Sequence, residues 1–179
     1  MFNLFKKKPE GPQLIDEVWR TTANLHEALY RAWEKDKSLL FLFWFEDRAR
    51  EAETFFSQRT TEAVNICLTR DHVSAKYPGA TIIVIGHYPL PEKENAFYAT
   101  LHTGEIRIWS SLDEPLFMHF GGQKIIALLD SLGMDPNEMI RHSMLTKAIH
   151  GAQEKIAAKV TIEKSSTSAA DWIRMNLGS

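Results

Sequence analysis

From Leu14 onward apolar residues recur at Ile15, Val18, Leu25, Leu29 and Trp33, with Thr22 on the same stripe, and this spacing predicts an amphipathic helix. Asp36-Lys37-Ser38 interrupts it. Leu39 to Phe45 is then apolar at every position, as a strand buried on both faces of a sheet must be, so a central, parallel strand is expected there. Glu46 and Asp47 stand where carboxylates favour a helix start, ahead of Ala49, Ala52, Phe55 and Phe56 on one helical face. Ala63–Leu68 reads as a short strand. Ala80–Ile85, β-branched and preceded by Pro78-Gly79, reads as another, closed by Gly86. After Pro89 and Pro91, Glu92–Leu101 suits a short helix and Ile106–Trp109 a final strand. Strands separated by helical patterns predict an α/β fold: a mostly parallel open sheet with flanking helices.

Beyond Asp113 the pattern becomes helical throughout. Ile125, Ile126, Leu128, Leu129 and Leu132 make one apolar helix, stopped by Gly133, and Met144, Leu145, Ala148, Ile149, Ala152 and Ile156 make a second. A polar break at Ser165–Ser168 precedes Trp172, Ile173 and Met175, which can anchor a last turn to the body. The expected organisation is a tail over 1–13, an α/β domain over 14–113 and a helical extension over 114–179. Leu116, Phe117 and Phe120 should pack the first of those helices against the sheet domain, since they would otherwise leave a large apolar patch exposed.

The chain has 179 residues, 44% of them hydrophobic and 25% charged, enough apolar material for one core with an attached smaller element. A net charge of −2 supplies no basic field for phosphate backbones, so no nucleic-acid partner is expected. One cysteine, Cys67, excludes a disulfide framework and a multi-cysteine zinc site, which fits a reducing compartment and a cytoplasmic address. No apolar run has the length of a membrane span. Met1 to Pro9 runs apolar first and then Lys6-Lys7-Lys8, the reverse of a secretory signal. Residues 1–8 allow at most weak peripheral contact with an anionic bilayer.

Ligands of open α/β sheets collect at the carboxyl ends of strands. Those ends gather Glu46, Asp47 and Arg48, then Arg70, Asp71 and His72, then His87 and Tyr88. Glu46, Asp47, Arg48, Arg70, His72 and His87 therefore form a candidate pocket with acid, base and cation. The same residues also read as a helix cap, a solvated turn and a strand end. None of the seven histidines has the i, i+4 pairing of a zinc protease, and no metal is expected. Cys67, inside a strand, reads as a small buried hydrophobe rather than a nucleophile. Gly121 and Gly122 open a helix whose free N–H groups are a candidate anion site.

Ser111-Leu112-Asp113-Glu114-Pro115-Leu116-Phe117, then Phe120-Gly121-Gly122, Leu132-Gly133-Met134, Thr146-Lys147-Ala148-Ile149, Ala152-Gln153 and Lys155-Ile156 resembles the SecA preprotein translocase family. There the same residue types, in this order and nearly this spacing, join the second nucleotide-binding domain to the long scaffold helix. More weakly, Ile83–Gly86 is similar to the strand before that domain's arginine-rich helix, and Leu39–Phe45 to its first strand. The resemblance, spanning about Ser38 to Ile156, implies a RecA-like fold, half of a P-loop NTPase, with the start of the scaffold attached.

Two departures bear on activity. No Gly-x-x-x-x-Gly-Lys-Ser/Thr phosphate cradle occurs. The arginines that in the family neutralise charge on the γ-phosphate have no counterpart between His87 and Leu101. The resemblance thus implies a degenerate NTPase domain without ATPase activity or cofactor: a protein-interaction or regulatory module linked to preprotein translocation, with translocase components as partners. The alternatives are a small enzyme using the strand-end pocket and a membrane-surface adaptor working through residues 1–8. The sequence does not specify an oligomeric state.

Overall fold

The computed structural model describes residues 12–72, 76–77 and 79–178. Five strands, β1 (Gln13–Trp19), β2 (Leu40–Phe43), β3 (Asn65–Leu68), β4 (Ile82–Ile85) and β5 (Glu105–Ser111), form one sheet in the order β1-β5-β4-β2-β3. Every pairing is parallel. The crossovers contain α1 (Thr22–Lys35), α2 (Glu46–Ser57) and α3 (Pro91–Thr100). Beyond β5 follow α4 (Pro115–His119), α5 (Gly122–Ser131), α6 (Ser143–Ala157) and α7 (Ala169–Leu177). This is an α/β, RecA-like arrangement with a helical C-terminal part. No helix among the described residues is long and apolar enough to cross a membrane. The basic tail of residues 1–8, and Pro78 of the turn before β4, lie outside the described residues.

The uninterrupted apolar run in β2 is explained by its position. Phe41 and Phe43 pack with Ile83 and Ile85 against Leu25, Leu29 and Trp33 of α1 and Phe56 of α2. Leu40 and Leu42 point the other way, into a cluster with Val84, Ile106, Ile108 and Tyr98 of α3. Both faces are covered, so both parities of the strand must be apolar.

One element differs from the pattern-based expectation. The helix predicted from Leu14 is a strand as far as Trp19, and the helix begins only at Thr22, capped by Thr21, whose Oγ1 accepts from the Asn24 N–H at 3.2 Å. Asp16 and Glu17 give the stretch its helical appearance. In a half-buried helix they would mark the wet face, but here they are 6% and 2% exposed, each with a charged partner. The outer edge of β1 is covered where Val18 exchanges two hydrogen bonds with Ile140, of 2.8 and 3.0 Å, so this edge offers little unpaired backbone at that point.

The helical part shares its cores with the sheet. Val18 and Leu112 pack with Phe117 and Ile149, and Phe45 packs with Leu116, Ile156, Trp172 and Ile173. Arg20 at the end of β1 donates to Asp130 Oδ1 of α5 at 2.6 Å and to the Met134 carbonyl at 2.8 Å. Leu116 and Phe117 are buried as anticipated, whereas Phe120 is 37% exposed. α4 ends at His119 and Gly121 turns the chain with a φ of +91°, leaving the Phe120 ring edge-on to His119 at the surface.

Truncation after Asp113 is expected to abolish cooperative unfolding. It removes partners from two buried clusters, and even one large aromatic lost from a core costs about 3–5 kcal/mol against a typical total of roughly 5–15 kcal/mol. Thermal unfolding of residues 14–113 followed by circular dichroism checks this. A sharp transition near that of the full chain would mean the helices are dispensable.

Candidate functional site

In this strand order β2 leads outward to β3, and the chain then crosses back to place β4 on the other side of β2. The carboxyl ends of β2 and β4 therefore flank the topological switch point, where open α/β sheets hold their ligands. A crevice exists there, lined by Phe45, Arg48, Gly86, His87, Glu114 and Ile173 among others. Its volume is about 30 Å³. That admits about one or two waters, against the roughly 300–1,000 Å³ of small-molecule sites. The space is taken by the C-terminal part: Leu116 packs with Trp172 and Ile173 over Phe45. Gly86 has a φ of +74°, which favours glycine in the turn out of β4, and a Cβ on it would lie close against Glu114 Oε2, at 3.0 Å.

Beneath the crevice lies a buried charged cluster. His87 Nδ1 is 2.9 Å from Glu94 Oε1 of α3, and Nε2 is 3.1 Å from Asp16 Oδ1 of β1. The second contact is an ion pair. Glu94 also accepts from the Tyr88 N–H at 3.0 Å and from Gln153 Nε2 of α6 at 2.7 Å, and the same Gln153 nitrogen lies 2.8 Å from the Tyr88 carbonyl oxygen. Burial alone would lower the imidazole pKa, but the Glu94 and Asp16 carboxylates prevail and push it up to about 10. Burial is the largest single influence and works to raise both carboxyls, but both lie below their ordinary values, held there by His87 together with Gln153 and the Tyr88 N–H at Glu94 and with Thr146 and His150 of α6 at Asp16. At neutral pH His87 is an imidazolium with no lone pair to accept a proton, so it is not a general base.

On the opposite wall Glu114 accepts from the Ser111 N–H at 2.8 Å, with Arg48 Nη2 3.9 Å away. Burial pushes its carboxyl pKa up, only partly offset by Arg48. Arg48 is engaged elsewhere, donating to Thr22 Oγ1 and Glu51 Oε2, each at 2.9 Å.

The six candidate pocket residues are distributed over several places. Arg48 and His87 line the crevice. Glu46 and Arg70 pair with each other in an open groove beside β3, with Arg50 Nη2 3.0 Å from Glu46 Oε2. Asp47 accepts from the Ala169 N–H at 3.3 Å, tying the start of α2 to that of α7. His72 stacks on Tyr77 with the edge of Phe97 nearby, and burial lowers its pKa. Gly122 meets protein: a Cβ there would fall 2.3 Å from the Leu112 carbonyl oxygen, so α5 begins in close contact with the end of β5. Burial raises the Cys67 thiol pKa. No group of three or more His, Cys, Asp or Glu side chains among the described residues is placed to hold a metal ion.

Several residues at the site escaped the sequence reading: Asp16, Glu94, Glu114, Gln153 and Glu163. Glu163 accepts from Trp172 Nε1 at 2.8 Å and from the Tyr88 hydroxyl, and pairs with Lys93, which fastens the C-terminal segment over the strand ends. The only local signal was a carboxylate pair, Asp16-Glu17, inside an otherwise apolar stretch.

The His87 cluster predicts an alkaline weakness. Its folded pKa lies above the ordinary 6.5, so its contribution to stability is fully present below about pH 6.5 and is lost as pH rises toward about 10. Asp16 and Glu94 are shifted down, so their contribution holds above their ordinary values and is lost in acid. Urea midpoints measured from pH 6 to 10 should fall, and His87→Gln should flatten that slope. The variant should also be less stable near pH 6.5 by about 3–5 kcal/mol, because two buried carboxylates lose their cation.

No family model matches the chain. Part of it is similar to protein translocase subunit SecA of several bacteria. It is 41% identical over 56 residues to the Syntrophomonas wolfei protein, covering 31% of this chain and 7% of that one. It is 42% identical over 53 residues to the Chlorobaculum tepidum protein, covering 30% and 5%. With the Dechloromonas aromatica protein the figures are 38% over 56 residues, 31% and 6%. The match thus spans less than a tenth of the length of these relatives.

Proposed function

We propose that this chain is a non-catalytic, SecA-related interaction module that regulates or accompanies preprotein translocation in the cytoplasm, with a translocase component as its protein partner. Its similarity to SecA over about 30% of the chain supports the link to translocation. The observation that carries the non-catalytic reading is the filled switch-point crevice, reduced to about 30 Å³ by Leu116 and the α7 residues packed over Phe45. A nucleotide phosphate chain has no room there. The one arginine at the crevice, Arg48, is held by Thr22 and Glu51.

In this reading the charged residues of the strand ends are structural. His87, Asp16 and Glu94 fix β1, β4 and α3 together, Asp47 positions α7, and Gly122 lets α5 dock on β5. The α/β body over 14–113 is then a degenerate NTPase lobe that holds the helical part over 114–179 in place.

Isothermal titration of the full chain with magnesium-ATP, together with phosphate-release measurements, should show neither saturable binding nor turnover. Magnesium-dependent binding with turnover would overturn the non-catalytic reading. Affinity purification from native extract should retain translocase components, and their absence would remove the link to export.

A further inference from the structure

A larger depression lies away from the switch point, between α1 and the face of the sheet on which α1 packs. Its volume is about 310 Å³ against about 30 Å³ for the crevice, at the lower end of the roughly 300–1,000 Å³ of small-molecule sites. The sheet supplies its floor. Ile83 of β4 and Arg107 of β5 are register partners, Trp109 follows Arg107 by two residues, and Trp109 in turn partners Glu17 of β1, two residues before Trp19. Alternation along the strands puts all five side chains on one face. The wall is α1, where Ala28 and Ala32 stand on successive turns. Two methyl groups there leave open the space that larger side chains would fill.

The charges lining this space are unequal. Arg31, Lys35 and Arg107 face a single lining carboxylate among the described residues, Glu27, whose Oε1 already accepts from Arg59 Nη2 at 2.6 Å. Two further carboxylates border the depression without lining it, Glu34 on α1 beside Tyr30 and Glu105 two residues before Arg107. Arg31 and Lys35 are exposed and form no ion pair among the described residues. Arg107 is held in place. Its Nη2 donates to Glu17 Oε1 at 2.8 Å, and Glu17, itself buried, also accepts from the Trp109 indole through Oε2. One buried carboxylate thus positions a guanidinium and the ring beside it, and most of that planar fork keeps its N–H donors for a ligand. At the other end Asn24 Nδ2 donates to Asn137 Oδ1 at 3.2 Å, and Asp135 accepts from the Asn137 N–H at 2.8 Å.

We propose that this depression binds a small organic oxyanion, a carboxylate or a phosphate monoester carried on a compact apolar body. The oxyanion takes the free edge of Arg107, whose fork matches two oxygens at once, and Arg31 and Lys35 add charge. The apolar body rests on Ile83, Ala28, Ala32 and the exposed margins of Trp19 and Trp109. The site is separate from the filled switch point and does not depend on the non-catalytic reading. Magnesium-ATP is outside this ligand class, because magnesium offsets its charge and a polar ribose stands between its phosphates and its ring.

The test titrates the full chain with naphthoate and with naphthyl phosphate and follows the indole N–H resonances by NMR. Half-saturation at about 1 mM or below is expected for at least one of them, with shifts at Trp19 and Trp109. The ratio of the two affinities tells which oxyanion the site prefers. Naphthalenemethanol, the same body without the charge, should bind about tenfold more weakly or worse. Arg31→Gln/Lys35→Gln should weaken the anion by about fivefold or more. Ala28→Leu, which fills the space, should abolish binding. Arg31 and Lys35 have no partner to lose and leucine suits a helix, so unchanged thermal unfolding verifies that the variants are folded. Arg107 stays in place, since its removal would strand Glu17. Should Ala28→Leu unfold, the glutamine pair decides alone. Equal binding of the neutral analogue, shifts confined to Trp44 and Trp172, or unchanged affinity in a folded variant overturns the proposal. So does the absence of saturable binding of either anion up to about 10 mM. ATP turnover would end the non-catalytic reading and leave this site standing.

Discussion

A charged imidazole locked between two carboxylates, out of reach of water, holds together the elements on which the rest of this structure is built. His87 follows β4, Asp16 is on β1, Glu94 on α3, and Gln153 of α6 closes the cluster through Glu94 and the Tyr88 carbonyl. Burying three ionised groups is costly, and the cost is offset only while all of them are present in the same geometry. The cluster therefore stabilises less than it specifies. β1 must lie where Asp16 reaches His87, on the far side of β5 from β4, and α6 must lie where Gln153 reaches Glu94. A strand one residue out of register would turn Asp16 to the other face and leave His87 with one partner.

The same logic explains what could and could not be read along the chain. β2 was visible because a strand buried on both faces has to be apolar at every position, a pattern no surface helix shares. α2, α5 and α6 were visible because each has one apolar face, and α3 because Pro91 marks its first turn. β1 was not, because its polar residues are inside. Periodicity takes Asp16 and Glu17 as solvent-facing, and only their partners, Arg107 and His87, many residues away, show otherwise. The site divided in the same way. Arg48 and His87 were found because strand ends can be located from sequence. Glu94, Glu114 and Gln153 were missed because nothing local distinguishes a carboxylate or amide that will be buried from one on a wet helix face.

The strand ends also show how the switch point of an open α/β sheet is filled by protein. The switch point between β2 and β4 is present, with the glycine that opens the turn out of β4. What occupies the space is the chain's own C-terminal part: Trp172, fully buried, with Ile173 and Leu116 over Phe45, fastened by Glu163 to Tyr88 and Lys93. The apolar area withdrawn from water there strengthens the joint between sheet and helices. Opening a ligand site would mean exposing Trp172 and leaving Glu163 without Tyr88 and its own indole donor, two penalties incurred together.

Helices packed across the strand ends must turn one face inward, and α4, α6 and α7 do so with Leu116, Ile156 and Trp172. Short helices joined by tight turns cannot bury every apolar side chain in the same direction, and on α5 and the start of α6 Leu128, Leu132 and Met144 remain outside. In a monomeric soluble domain such a concentration is disfavoured unless something covers it. The contacts that close the ordinary ligand site of the sheet thus go together with a helical part that carries the exposed large apolar side chains of the described molecule.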